Sequence, residues 1–362
     1  MSASLPGPAV TPSDRSNHRS LMGRAVRITI TGLGACLFLT LALALWNLAV
    51  TEWKHKHNPT PGKFYTVEGR QMHIDCSGTG SPTVVLEAAA SAPWSEWRKV
   101  QPGLSRITRV CSYDRAGHGW SEPRNGSRDA ETIVGELRSL LDKAGVKRPF
   151  VLVGHSAGGL YVREYAREFP DDIAGVALIE SSSPHQIDEL PGWRASYEED
   201  KRDAKRELWE DRLRVWSGWQ RLLGQCDVSA KDSPDWAGQF NAMACRPGYV
   251  DTDESELNYF EVSSQQAGRL ATFGGVPLLV ISRDPNVRGK GMSPDRVAQI
   301  PVWDGEQEAS KSLSPLSWRV IARNSGHMVP LDRPDLIVAE ITRLIEYLRG
   351  GPPPSFGSTA TR

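Results

Sequence analysis

In the stretch VLVGHSAGGL, residues 151–160, Ser156 stands between Gly154 and Gly158 directly after an apolar run. A serine hydroxyl carries out acyl transfer only with help. A base must take its proton, a carboxylate must orient the base, and donors must meet the developing oxyanion. A Gly-x-Ser-x-Gly match alone is weak, so the weight lies in its context. Val151–Val153 reads as a strand end, and Leu160–Phe169, closed by Pro170, reads as a helix. Ser156 is therefore expected at a sharp strand-to-helix turn. The positions two before and two after it are crowded there, and glycine has no side chain to clash. The helix beyond offers free N–H groups and a partial positive charge to an oxyanion.

Of the eight histidines, His327 in Asn324-Ser-Gly-His327 is the best placed as base, in a turn after the last predicted strand. His18, His55 and His57 belong to the tail and the flank of an apolar run. His73 lies in an early hairpin, and His118 and His185 in other turns. His155 adjoins the serine, but adjacent side chains at such a turn point different ways. Two carboxylates compete to orient His327. Asp284, in Ser282-Arg-Asp-Pro285, follows the seventh predicted strand; Glu180, in Leu178-Ile-Glu-Ser181, ends the sixth. Either lies at the carboxyl edge of an open α/β sheet, where such folds place their sites, and either gives the chain order serine, acid, histidine. Asp284 is the favoured of the two.

The elements that must position these residues alternate short apolar strands with amphipathic helices. Phe64–Val67 and Gln71–Asp75 read as a hairpin. Thr83–Leu86, Thr108–Tyr113, Phe150–Val153, Gly175–Ile179, Pro277–Ile281 and Trp318–Ala322 read as further strands. Helical patterns such as Ala130–Ala144 and Pro334–Leu348 lie between and after them. Strands without polar alternation, spaced by helices, predict a mostly parallel sheet covered on both faces. From about 184 to 271 the strand rhythm stops, predicting a helical insertion. Trp193, Trp209, Trp216, Trp219 and Trp236 are spread through it, as core packing or as pocket lining. The reading is one domain over 58–350, between disordered tails at 1–27 and 351–362.

The composition excludes several partners. Lys plus Arg and Asp plus Glu both number 43, so nothing points to nucleic acid or a strongly charged substrate. The local exception is Ile28–Val50, 23 residues without a charge and with one strongly polar side chain, Asn47. As a helix it would span roughly 34 Å, enough to cross a bilayer. It reads as a transmembrane anchor, favoured over a cleaved signal peptide, for which the run and its leader are long, and over a core helix, which would show a polar face. Arg15, Arg19, Arg24 and Arg27 precede it and Lys54 and Lys56 follow, placing the N-terminus in the cytoplasm and the main domain outside. Cys36 lies within the run, leaving Cys76, Cys111, Cys226 and Cys245. No metal spacing links them. Two disulfides in an oxidising compartment is one reading and four reduced buried thiols the other.

VLVGHSAGG, the turn Tyr113-Asp-Arg-Ala-Gly-His-Gly-Trp-Ser121 and Asn324-Ser-Gly-His-Met-Val-Pro-Leu-Asp332 together resemble the α/β-hydrolase superfamily over about residues 60–350. The resemblance implies an eight-stranded, mostly parallel sheet with a lid inserted after the sixth strand, where the tryptophan-rich region falls. It implies an oxyanion hole from the N–H groups of Ala157 and Ala90. The loop carrying Ala90 departs from the family's usual His-Gly or glycine-rich turn and reads Leu86-Glu-Ala-Ala-Ala-Ser91. Alanine supplies N–H groups but does not adopt positive φ cheaply. The same topology sets the second strand beside the fourth, implying a Cys76–Cys111 bridge and leaving Cys226 with Cys245. The expectation is a membrane-anchored serine hydrolase, a carboxylesterase acting through an acyl enzyme on a small-molecule acyl substrate, with no cofactor and no metal. The alternatives are a non-catalytic binding protein of the same fold and an acyltransferase.

Overall fold

The computed structural model describes residues 12–226, 237–243, 245–246, 249–288 and 292–362. Trp236 and the first 11 residues of the expected N-terminal tail lie outside them. The chain divides into two compact units: Pro59–Arg212 with Arg246–Arg362, and the described residues of Met1–Asn58 with Leu213–Cys245.

The larger unit is built on one sheet. Its strands are β1 (Lys63–Val67), β2 (Arg70–Ser77), β3 (Val84–Glu87), β4 (Val110–Tyr113), β5 (Phe150–His155), β6 (Ile173–Ile179), β7 (Leu278–Arg283), β8 (Ser317–Ala322) and β9 (Thr359–Thr361). The spatial order is β1-β2-β4-β3-β5-β6-β7-β8-β9. The β1/β2 and β2/β4 pairs are antiparallel and all others parallel. β3, β5, β6, β7 and β8 therefore deliver their carboxyl ends to one edge of the sheet.

The central strands are runs of Val, Ile and Leu because both faces are covered. Leu152, Leu178 and Val280 face one layer, packed by the helices α2 (Ala130–Lys143) and α3 (Gly158–Glu168). Val153, Ile179 and Leu279 face the other, packed by Ile337, Ile341 and Leu344 of a helix over Pro334–Leu348. Each such side chain, fully removed from water, stabilises the fold by about 2 kcal/mol. Asp114 fixes the turn after β4. Its carboxylate accepts from Trp94 N, Trp120 N and His73 Nδ1 at 2.8–3.0 Å.

Between β6 and β7 the described residues form helices, chiefly α4 (Trp193–Trp216) and α5 (Tyr249–Ala267). A helix over Pro294–Ala309, α6, follows β7, and Pro334–Leu348 is α7.

Both tails differ from expectation. Residues 12–27 are not disordered: a single helix, α1, runs from Pro12 to His57. Proline is tolerated at a first helical position, and the Arg-, Leu- and Ala-containing residues after it continue the helix into the apolar run. At the other end, Gly350-Gly-Pro-Pro-Pro354 stops α7 but does not begin a loose tail. Phe356 packs against Trp318 and Tyr347, with ring centroids 5.9 and 5.3 Å apart. Thr359–Thr361 then pairs with β8, so the sheet has nine strands rather than eight.

Among the described residues, Cys76–Cys111 and Cys226–Cys245 are disulfides and Cys36 is free. The first joins facing residues of β2 and β4. The second lies within the smaller unit and closes a loop with a sequence separation of 19. Such a closure contributes about 3 kcal/mol in the chain-entropy account. Non-reducing peptide mapping is expected to find these two linkages and one alkylatable thiol. A Cys226→Ala/Cys245→Ala variant should unfold at lower denaturant; an unchanged midpoint would contradict the assignment.

Candidate active site

Gly154 and Gly158 are where the turn after β5 cannot carry a side chain. A Cβ at Gly154 would lie 2.6 Å from the Gly158 carbonyl oxygen, and one at Gly158 would lie 2.6 Å from that of Ala88. Between them Ser156 takes φ +51°, a left-handed conformation costing roughly 1–2 kcal/mol for a residue with a Cβ. Its amide donates to Ile179 O at 3.2 Å, and its carbonyl accepts from Ser182 N at 2.9 Å. The β6 neighbour thus holds the strained turn in place.

His327, half-exposed in the turn after β8, brings Nε2 to 3.1 Å from Ser156 Oγ. Its Nδ1 lies 3.6 Å from Glu180 Oε1. Glu180 follows β6 and is fully buried, with φ +43°. Its other oxygen, Oε2, accepts from Arg283 N at 2.8 Å, whereas Oε1, 3.5 Å from Arg283 Nε, has no hydrogen-bond partner among the described residues. Asp284, the carboxylate favoured from sequence, is committed elsewhere. It accepts from Asn286 N and Nδ2 and from Asn324 N at 2.9–3.1 Å. The Asn286 amide, with further help from the Asn324 amide, holds its carboxyl below the ordinary value. Asp284 therefore shapes the turn that carries His327, and Glu180 is the carboxylate that lies beside the ring.

The loop after β3 supplies the opposite wall. Ala157 heads α3 with no side-chain cap, and Ala90 lines the same cavity as Ser156 and Ala157. The amides beside Ala90 are taken: Ala89 N donates to Glu96 Oε2 at 2.9 Å and Ser91 N to Glu256 Oε2 at 3.1 Å. The Ala90 amide has no hydrogen bond among the described residues. The positive φ that alanine resists falls on Ser91, at +56°. Of six non-glycine residues with positive φ among those described, Ser91, Ser156, Glu180 and Asn324 flank this one site. Strain concentrates there and not at random.

A cavity of about 400 Å³ opens over Ser156. Trp193 and Tyr197 of α4, Leu257 and Phe260 of α5, and Trp303 of α6 give it a mainly apolar lining. Trp193 stacks on Trp303 at 6.5 Å, and Trp303 meets His327 edge-on at 6.3 Å. Of the tryptophans noted in the insertion, Trp193 lines the cavity, while Trp209, Trp216 and Trp219 are exposed.

A model of the alpha/beta hydrolase family matches residues 77–340. The chain belongs to the alpha/beta hydrolase family. It is similar to YqjL of Bacillus subtilis, an uncharacterized protein, at 25% identity over 277 residues, 76% of this chain and 88% of that one. It is also similar to YbdG of the same organism at 29% identity, over 34% of this chain; the chain spans 39% of that relative's length. Among solved structures, a thermophilic esterase from Thermogutta terrifontis superposes with a TM-score of 0.57 at 20% identity, covering 80% of this chain and 99% of that one. At that identity the likeness establishes the fold.

In this alpha/beta hydrolase the site loops are tied together by groups whose contacts sequence reasoning did not supply. His155 Nδ1 lies 2.6 Å from Glu96 Oε1, and its Nε2 lies 2.9 Å from the His327 carbonyl oxygen. Both neighbours are acceptors, so the ring satisfies both only as an imidazolium. Burial alone would lower the pKa of His155, but the Glu96 charge and hydrogen bond more than offset it, and the net direction is up. Burial would likewise raise Glu96, yet His155 holds it below its ordinary value. Glu96 thus joins the Ala89 amide to the histidine loop through His155. Behind the same loop, Arg115 donates to the Ala88 and Ala89 carbonyls and to Glu87 and Glu256 at 2.7–3.1 Å. His118 and Arg128 also meet Glu256, at 2.9 and 3.0 Å.

The linkage gives a pH signature. Stability from the raised His155 is full below 6.5 and lost as pH rises through its folded pKa. Stability from the lowered Glu96 is full above 4.5 and lost as pH falls through its own. In Glu96→Gln, melting temperature should fall most between pH 4.5 and 6.5 relative to the parent, and the difference should shrink on both sides. A difference that does not vary with pH would refute the imidazolium bridge.

Proposed function

We propose that this chain is a membrane-anchored serine hydrolase, a carboxylesterase acting on esters with an apolar portion. The observation that carries the reading is the run from Ser156 Oγ to His327 Nε2, at 3.1 Å, and from His327 Nδ1 to Glu180, at 3.6 Å, at the floor of the apolar cavity. Ser156 Oγ attacks the acyl carbonyl carbon while His327 Nε2 takes its proton. Glu180 holds the Nδ1–H tautomer and stabilises the imidazolium that forms. The carbonyl oxygen, now an oxyanion, is met by the Ala157 and Ala90 amides at the positive end of α3. Collapse of the tetrahedral intermediate returns the proton to the leaving alcohol. Water activated by His327 then repeats the sequence on the acyl enzyme and releases the acid. The chemistry calls on no cofactor or metal.

For the anchor, support comes from α1, whose apolar window over the span is not buried within the protein. The excess of arginine before the span supports an orientation with the hydrolase outside the cytoplasm, and two disulfides suit an oxidising compartment.

A fluorophosphonate probe should label the full-length protein and fail to label Ser156→Ala. A folded parent that stays unlabelled and cleaves no ester would mean a binding protein. Glu180→Gln should lower kcat by about 10³–10⁴, the scale of removing a triad carboxylate. Asp284→Asn should cost no more than about tenfold, since it disturbs a turn and not the proton path. The reverse ranking would restore Asp284 as the acid.

A further inference from the structure

The smaller unit contains an arrangement that the hydrolase chemistry does not use. Asn47, the one strongly polar side chain of the apolar span, is fully buried. Its Nδ2 donates to Val215 O at 2.9 Å, and its Oδ1 accepts from Arg221 Nε at 2.6 Å. Arg221 also donates to Thr51 Oγ1 at 2.9 Å. Between those contacts the chain passes so close to α1 that a Cβ at Gly218 would lie 2.8 Å from Leu43 O and 2.9 Å from Asn47 Cβ. The segment 215–221 is therefore clamped against α1 over Leu43–Thr51.

That clamp fixes a depth. With a rise of about 1.5 Å per residue, Asn47 lies roughly 4.5 Å and Leu43 roughly 10 Å inside the Val50 end of the span. A segment held against them shares that level. It also carries exposed large apolar side chains: Leu213, Trp216, Trp219, Leu222 and Leu223 are each 49–54% exposed. Trp46 and Trp53 of α1 are exposed at the same end. Indole rings at a span's end, polar edge toward water and apolar face toward acyl chains, are the ordinary content of a membrane interface.

We propose that Leu213–Leu223, part of the insertion between β6 and β7, lies in the outer interface of the bilayer, with Trp216, Trp219, Leu222 and Leu223 among the headgroups and first acyl carbons, held at that depth by the Asn47–Arg221 clamp. This rests on the membrane-anchor reading. The patch is continuous with the span and lies at its level, which selects lipid as its occupant over a second copy of the chain.

The test uses the full chain in phosphatidylcholine vesicles brominated near the headgroup. In a Cys36→Ala background, a fluorophore is placed in turn at Leu45→Cys, Trp219→Cys and Glu68→Cys, an exposed position in the β1–β2 turn. Quenching at Leu45 and, several-fold above Glu68, at Trp219 is the expected result. Asn47→Leu should reduce quenching at Trp219 and leave it unchanged at Leu45. Quenching at Leu45 but not at Trp219 overturns the proposal and leaves the anchor standing. No quenching at either position overturns both. A Trp219 label that is shielded from bromine and cross-links to a second copy gives the surface to a dimer and sinks the proposal.

Discussion

The close passage of α3 over the end of β5 constrains everything around Ser156. With 2.6 Å between a would-be Cβ at either glycine and the backbone opposite, the chain turns there only by placing the intervening residue in a left-handed conformation. That conformation lifts the Ser156 hydroxyl out of the sheet edge and aims the first amides of α3 at the same space. The other partners reach it because β3, β6 and β8 end at that edge. Glu180 repeats the device, turning through positive φ directly after its strand. The site is a set of short, strained exits from rigid strands, and the sheet core supplies the stability that holds them.

A second layer keeps those exits in register. Where a glycine-rich loop would reach its conformation at little cost, the loop after β3 uses three alanines and surrounds them with buried charge. Arg115 holds two of their carbonyls, and Glu96 and Glu256 hold the amides on either side of Ala90. Buried ions are expensive unless fully paired. Here Arg115 is shared between Glu87 and Glu256, and Glu256 also receives Arg128 and His118. Because Glu256 sits on α5, the loop's shape depends on a helix of the insertion.

The strands, the elbow and His327 were legible in the sequence because each announces itself locally, through apolar runs, crowding glycines and a turn after the last strand. The acid was not. Asp284 and Glu180 occupy equivalent places after neighbouring parallel strands, and what separates them is which amides each carboxylate finds, a matter of turn geometry that no spacing reveals. The same limit hid Glu96 and Glu256, which come from a 3₁₀ turn and a helix distant in sequence. His155 was visible beside the serine, but its value lies in two acceptors from elsewhere in the chain. Tail composition misled for a further reason: Ser, Pro and Gly lower the propensity for structure without forbidding it. Pro12 is compatible with a helix start, and Thr359–Thr361 found an open strand to pair with.

That last pairing decides which strand lies at the edge of the sheet. β8 would otherwise present a row of unpaired N–H and C=O groups, the template along which sheets join between molecules. β9 covers it with three residues, Arg362 N donates to Ile321 O beside them, and Lys311 fastens the approach through Gly357 O and Thr359 Oγ1. A chain cut after Gly351 would keep Ser156, Glu180 and His327 and would hand the edge of the sheet from three residues of β9 to the six of β8.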